Sequence, residues 1–284
     1  MKTRLIITGG ATGLGKALAL SYASNLGANL QICIADINAE RAAITISELQ
    51  ALKADAFFYA CDVTKQADVK GLYDIIQTKW QGVDIVINNA GVATGGSLEG
   101  ESLEQWRWIM DINLLSMVRV CQTFYPVFKQ QGGGYFINIA SQAGLTPIPF
   151  MSSYNAVKAA VIGFSETLKL ELAHDNIDVS VVCPSFFKTN LDESMRTSEP
   201  AMKTMLNRAF ERSPINAEQV ADIIYTQSLK RPFLILTHKL GKQAFLMKKL
   251  LPVEWYIKSM LKKTRSMHCL LYTSDAADDT PCVD

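Results

Sequence analysis

The stretch Thr3-Arg-Leu-Ile-Ile-Thr8-Gly9-Gly-Ala-Thr12-Gly13-Leu14-Gly15 decides how this chain folds. Its first six residues form an apolar run that ends in glycine, which reads as a buried strand. The pattern over residues 14–26 is helical. A strand, a glycine turn and a helix in succession gather backbone N–H groups and a helix N-terminus at one point, where a pyrophosphate is well held. Such a turn can also be a plain connector. The next apolar run, residues 29–35, ends in Asp36 about twenty residues past the turn, where a carboxylate can accept hydrogen bonds from a ribose diol. This is the opening of an α/β chain with a parallel sheet.

The alternation continues to residue 236. Helical patterns cover residues 39–52, 66–80, 103–129, 153–173 and 216–230, and strand patterns cover 55–61, 82–88, 135–140, 177–183 and 233–236. With no internal repeat and no low-complexity linker, the expectation is a single doubly wound parallel sheet flanked by helices. Asp62 and Val63 follow the third strand, where Asp62 or Thr64 would serve as the helix N-cap. Asn88-Asn89-Ala-Gly91 follows the fourth strand.

Ser141 closes the fifth strand, at the edge where ligands gather in open α/β sheets. Tyr154 and Lys158 stand four residues apart on the predicted helix 153–173, so phenol and ammonium share a face. An ammonium beside a phenol favours the phenolate and lowers the phenol pKa, giving a Tyr able to act as acid or base on a carbonyl or alcohol oxygen. By itself a Tyr-x-x-x-Lys pair is also common on helix surfaces. Asn113 lies beside Ile109, Ile112 and Met117 in helical projection, which predicts an inward amide in need of a partner.

Taken together, Ser141, Tyr154 and Lys158 with the glycine turn and Asp36 upstream resemble the short-chain dehydrogenase/reductase family. The likeness covers residues 3 to 237. It implies a Rossmann-type NAD(P)-dependent oxidoreductase with a catalytic tetrad of Asn113, Ser141, Tyr154 and Lys158. In that reading Ser141 hydrogen-bonds the substrate oxygen and Tyr154 exchanges the proton. Lys158 tunes the Tyr and holds the nicotinamide ribose, and Asn113 holds a relay water. The cofactor would meet Gly9, Thr12, Gly13, Leu14, Gly15, Asp36, Asp62, Val63, Asn89, Tyr154, Lys158, Phe187 and Thr189. At Ser185 the family usually has glycine, so a changed backbone beneath the nicotinamide is expected. The Asp36 carboxylate would repel a 2′-phosphate, and the nearest cation is Arg41, so NAD is expected in preference to NADP. The alternatives are an NADPH-dependent 3-oxoacyl reductase and a dinucleotide-binding redox sensor or scaffold without turnover.

Ile148, Phe150, Met151, Phe186 and Phe187, with a Met-rich flap at residues 190–215, offer little to a charged group. They predict a lipophilic alcohol or ketone as substrate. The family likeness further implies a homodimer or homotetramer built on the helices at 103–129 and 153–173.

Composition sets the remaining limits. The chain has 284 residues, 49% hydrophobic and 19% charged, with a formal net charge of +1. No apolar run reaches the ~20 residues needed to span a bilayer. Six Cys without a Cys-x-x-Cys pair fit a reducing cytosol, and three scattered His show no metal-ligand spacing. The catalytic domain is expected to be residues 1–238. Residues 239–268 are basic and amphipathic, with eight Lys or Arg and a single Glu between Lys239 and Arg265. They suit either peripheral contact with an anionic membrane or a cap over the pocket, and nucleic acid is not expected as a partner. Residues 269–284 break with everything before them and resemble the translation of a transposase adapter, so they are set aside as a non-native tail.

Overall fold

The computed structural model describes residues 2–188, 193–197 and 199–272. Among them the strands are β1 (Thr3–Thr8), β2 (Leu30–Asp36), β3 (Asp55–Ala60), β4 (Ile85–Asn88), β5 (Gly134–Ile139), β6 (Ile177–Cys183) and β7 (Leu234–Leu236). All pair in parallel in the order β3-β2-β1-β4-β5-β6-β7. The order reverses between β1 and β4, which opens a crevice at their carboxyl ends.

The strands are apolar at nearly every position because both faces of the sheet are covered. Leu5 and Ile7 point into one layer with Leu18, Tyr22 and Ile224, while Ile6 between them points into the other with Val86, Phe124 and Phe136. The helices of these layers are α1 (Gly13–Leu26), α2 (Ala39–Ala51), α3 (Gln66–Trp80), α5 (Ser116–Gln131) and α7 (Ser152–Glu171), with α9 (Ala217–Ser228) packed on α1, while α4 (Leu103–Met110) buries Ile109 in a third cluster with Met151, Tyr154 and Val157. A short α6 (Gln142–Leu145) lies between β5 and α7, and α8 (Pro200–Glu211) sits above the sheet edge. Two further helices close the described chain, α10 (Lys239–Leu250) and α11 (Val253–Tyr272), and α11 lies against α8. Local signals start several helices. The Asn38 side chain accepts from Arg41 N, Ser102 accepts from Gln105 N, and Asn216 with Gln219 forms a reciprocal capping box.

Residues 103–129 are not one continuous α-helix. Between α4 and α5 the chain makes a π-turn over Asp111–Leu115, with Asn113 at its centre. One inserted residue shifts the turn while leaving the apolar stripe on the same side, so periodicity alone does not reveal it. The capping expected at Asp62 or Thr64 also differs. Lys65 holds the N-cap position of α3 without a side-chain bond, and Asp62 instead closes its own turn by accepting from Thr64 N and Oγ1. Cys33, Cys61, Cys121 and Cys183 are free and buried. Burial raises all four thiols, three of them to about 12, so they are inert small apolar residues.

Candidate active site

A cavity of about 770 Å³ runs along the carboxyl edge of the sheet. Its floor is the turn between β1 and α1. Gly9 and Gly13 have left-handed backbones (φ +63° and +54°) that L side chains rarely adopt. A Cβ on Gly15 would lie 2.2 Å from Gly9 O, so no other residue fits there. Asn89 pins the turn from β4, its Nδ2 donating to Thr8 O and Gly9 O, and Thr8 Oγ1 accepts from Asn89 N and Ala90 N in return. Thr12 at the N-cap of α1 is extended and makes no side-chain cap bond, and the first turn carries no acid. The helix N-terminus is therefore open to an anion, and the residues fit a pyrophosphate.

At one end of the cavity stand Asp36, Arg41, Asp62 and Val63. Asp36 accepts from Ala11 N (3.0 Å) and Asn38 N (3.0 Å), which ties the glycine turn to the end of β2. Arg41 donates to Glu193 at 2.8 Å, so the nearest cation is already paired. Asp62 is held below the usual carboxylate range, first by its hydrogen bond from Thr64.

Ser141, Tyr154 and Lys158 line the cavity together at its centre. Ser141 is the N-cap of α6, its Oγ accepting from Ala143 N at 3.1 Å. Gly144 lets α6 lie on α7, since a Cβ there would meet Lys158 C and O at 2.6 Å. Lys158 is buried and donates to Ile139 O at 3.0 Å, with its Nζ 5.8 Å from the Tyr154 ring centre. Burial pushes the Lys158 ammonium down to about 8. Burial also raises the Tyr154 phenol, although its hydrogen bond with Ser141 pulls the other way. The lowering of the phenol expected from its cationic neighbour is thus reversed. Both groups sit in apolar surroundings, and desolvation favours the neutral form of each.

Asn113 is buried as its projection required. Its Oδ1 accepts from Val92 N (2.8 Å) and its Nδ2 donates to Val92 O (2.9 Å), fastening the π-turn to the loop after β4. Neither Asn113 nor Gly15 lines the cavity, and both act on the elements that do. Gly9, Thr12, Gly13, Leu14, Asp36, Asp62, Val63, Asn89 and Phe187 all line it, while Thr189 lies outside the described residues. Ser185 has no left-handed backbone, and its N–H donates to His238 Nδ1 at 3.2 Å. The ordinary backbone angle is what admits Ser where the family usually has glycine.

Sequence reasoning missed three supports. His238, one of the three scattered histidines, holds the loop after β6 by accepting from Ser185 N. The buried Glu101 carboxylate accepts from Ser153 N (2.9 Å) and Ser153 Oγ (2.8 Å) at the N-terminus of α7, where negative charge is favourable. Gln142, next to Ser141, also lines the cavity. The single available signal was Glu101 lying just before a helical pattern, which says nothing of a partner 52 residues away.

The far end of the cavity is apolar. Ile148, Met151, Phe186, Phe187, Met195, Leu206 and Phe210 line it, and Leu240, Gly241 and Ala244 of α10 close one side. Phe150 packs behind this wall with Met202 and Met205. The flap expected at 190–215 is the helix α8 with the segment before it, of which residues 189–192 and 198 lie outside the described residues.

Residues 3–200 match the family model for short chain dehydrogenases. A 3-oxoacyl-[acyl-carrier-protein] reductase of Thermotoga maritima is 32% identical over 77% of this chain and 87% of its own length. A 7alpha-hydroxysteroid dehydrogenase of Escherichia coli is 30% identical, covering 73% of this chain and 80% of its own. Among solved structures, a short-chain dehydrogenase/reductase of Burkholderia phymatum in complex with NAD matches with a TM-score of 0.80 at 25% identity, over 99% of both chains.

Proposed function

The chain belongs to the short-chain dehydrogenase/reductase family of oxidoreductases, and on that premise we propose that it moves a hydride between NAD and the carbonyl or secondary-alcohol carbon of a lipophilic substrate. The observation that carries this reading is the meeting of Ser141, Tyr154 and Lys158 on one wall of a cavity with Asp36 at one end and apolar side chains at the other. The nicotinamide, when bound, supplies or accepts the hydride. The open N-terminus of α1 would hold the pyrophosphate, and Asp36 the ribose diol. Asp36 and the engagement of Arg41 by Glu193 both favour NAD over NADP.

The chain's own residues handle the proton. A buried, neutral Tyr154 is the form that gives a proton to a carbonyl oxygen as it becomes an alcohol, with Ser141 hydrogen-bonding the same oxygen. Lys158, with a pKa near 8, is largely cationic at neutral pH and stands 5.8 Å from the Tyr154 ring centre, the charge nearest the phenol when alcohol oxidation asks it to take up a proton. Val92 engages Oδ1 and one N–H of the Asn113 amide, so Asn113 would serve the relay through the second N–H of that amide or through its own main chain.

Two other readings share this scaffold. An NADPH-dependent 3-oxoacyl reductase is favoured by the name of the Thermotoga maritima relative and opposed by Asp36. A scaffold without turnover is opposed by the presence of all four tetrad residues. Oxidation of secondary alcohols of increasing apolar size, with NAD and NADP compared, decides among them. Activity that rises with apolar size under NAD supports the proposal, preference for NADPH and oxoacyl thioesters supports the reductase, and tight NADH binding without turnover supports the scaffold.

The C-terminal helices support a peripheral membrane contact. Val253, Ile257 and Leu261 form an exposed stripe on α11 beside Lys258, Lys262 and Arg265, and Leu246 and Leu250 on α10 and Trp255 on another side of α11 are exposed as well. No helix among the described residues is long and apolar enough to cross a membrane. Because α10 lines the cavity, such a contact would set the pocket mouth near the lipid. Sedimentation with anionic but not neutral vesicles, lost when Lys258, Lys262 and Lys263 become Glu, is the expected result. A homo-oligomer built on α4–α5 and α7 is also proposed, and a monomeric mass by light scattering at micromolar concentration would refute it.

A further inference from the structure

We infer that the substrate carries a hydrogen-bond donor, a hydroxyl or amino group, within a few bonds of the reacting carbon, and that Gln142 Oε1 receives it. This rests on the hydride-transfer reading above and goes beyond it, because a purely hydrocarbon substrate would leave the amide unused.

Gln142 follows Ser141 directly, is 8% exposed and lines the cavity. Its backbone is fixed: N donates to Pro184 O at 2.7 Å, and O accepts from Thr146 N at 2.8 Å. The side chain is fixed at one end only. Nε2 donates to Thr146 Oγ1 at 2.9 Å, whereas Oε1 is buried without any partner. A buried amide oxygen left unpaired loses its hydration with nothing in return. Such a cost suits a group whose partner arrives with the ligand.

The opposing element leaves room beside that buried oxygen. Gly241, in the first turn of α10, lines the same cavity, and a Cβ there would lie 2.6 Å from Oε1. Any other residue would cover the acceptor. The walls beyond it, Ile148, Phe186 and Leu206, are apolar and suit a hydrocarbon tail. The geometry therefore describes an amphiphile whose polar head holds both the reacting carbon and the donor.

The test uses three kinds of ketone of equal chain length, bearing beside the carbonyl a hydrogen-bond donor (one compound with hydroxyl, one with amino), a methoxy group, or hydrogen. They are reduced with NADH by the full-length protein and by Gln142→Met and Gln142→Glu. Because substituents alter intrinsic reactivity, the readout is the change in relative kcat/KM between wild type and variant. Gln142→Met is expected to lower kcat/KM for the donor-bearing ketone by about tenfold or more while leaving the other two within about threefold. Gln142→Glu is expected to favour the amine over the hydroxyl. An equal loss on all three kinds, an unchanged ratio, or a methoxy ketone as sensitive as the hydroxy ketone would overturn the inference. If no ketone is turned over, the hydride-transfer reading fails. Calorimetric affinities of the same compounds then judge Gln142 separately, by the same ratio.

Discussion

The two ends of the cavity are built from different materials. At the glycine turn, backbone touches backbone: Gly15 abuts Gly9 O, and Asn89 grips two carbonyls. Opposite, methionine, phenylalanine and leucine side chains from α8 and the loops around it meet at their flexible tips. Side chains repack at little cost and backbone does not. The first end can therefore hold one ligand shape, while the second can be re-tailored without disturbing the sheet. Ser141, Tyr154 and Lys158 stand where the two ends meet.

The largest effect is expected at that junction. Tyr154→Phe removes the proton donor while keeping the ring, and kcat should fall about a thousandfold. NADH affinity, read by fluorescence titration, should stay within about threefold. If binding fell as far as turnover, the junction would belong to the rigid end.

Next comes Lys158. Its folded-state pKa of about 8 lies below the ordinary 10.5, so the fold disfavours the charge. Below pH 8 that cost is present in full. As pH rises from about 8 to 10.5 the unfolded chain binds the extra proton, so stability increases, by roughly 3 kcal/mol at most. Urea unfolding of wild type and Lys158→Met across this window should show the increase in the wild type alone. Parallel curves would mean that Lys158 is solvated in the folded protein.

Gly15→Ala places a Cβ against a main-chain oxygen that cannot turn away. A loss of about 2–3 kcal/mol in stability is expected, with weakened dinucleotide binding. At the same end, Asp36→Asn keeps an acceptor for Ala11 N but removes the charge. The NAD over NADP preference in kcat/KM should narrow by about tenfold, a single ion–dipole contact's worth.

How much of this was readable follows the same division. The sheet was legible because strands buried on both faces are apolar throughout, and the glycine turn because only glycine fits its backbone. Asn113 was legible as inward-facing, yet its partner Val92 was not, since the bond crosses 21 residues to a main-chain amide. The π-turn left the apolar stripe intact and so left no trace. Glu101, His238 and Gln142 act through contacts that only the folded chain creates. Tyr154 was read with the wrong sign because spacing gives proximity to Lys158 but not the depth at which both are buried.

The smallest effect separates the two ends most cleanly. Gly95 resembles Gly15 in that an added Cβ would come too close to its neighbours, 2.6 Å from Met195 Cε and 2.9 Å from Met202 Cε. Here the neighbours are the ends of two thioether side chains with three rotatable bonds each. Gly95→Ala should therefore cost less than about 1 kcal/mol, since both methyls can turn aside and that of Met195 can swing into the cavity it lines. That movement would shrink the apolar wall, so kcat/KM should drop a few-fold for the bulkiest alcohols and stay unchanged for small ones. A thermal midpoint lowered as far as in Gly15→Ala would mean that the substrate end is as rigid as the cofactor end, and the distinction between them would fall.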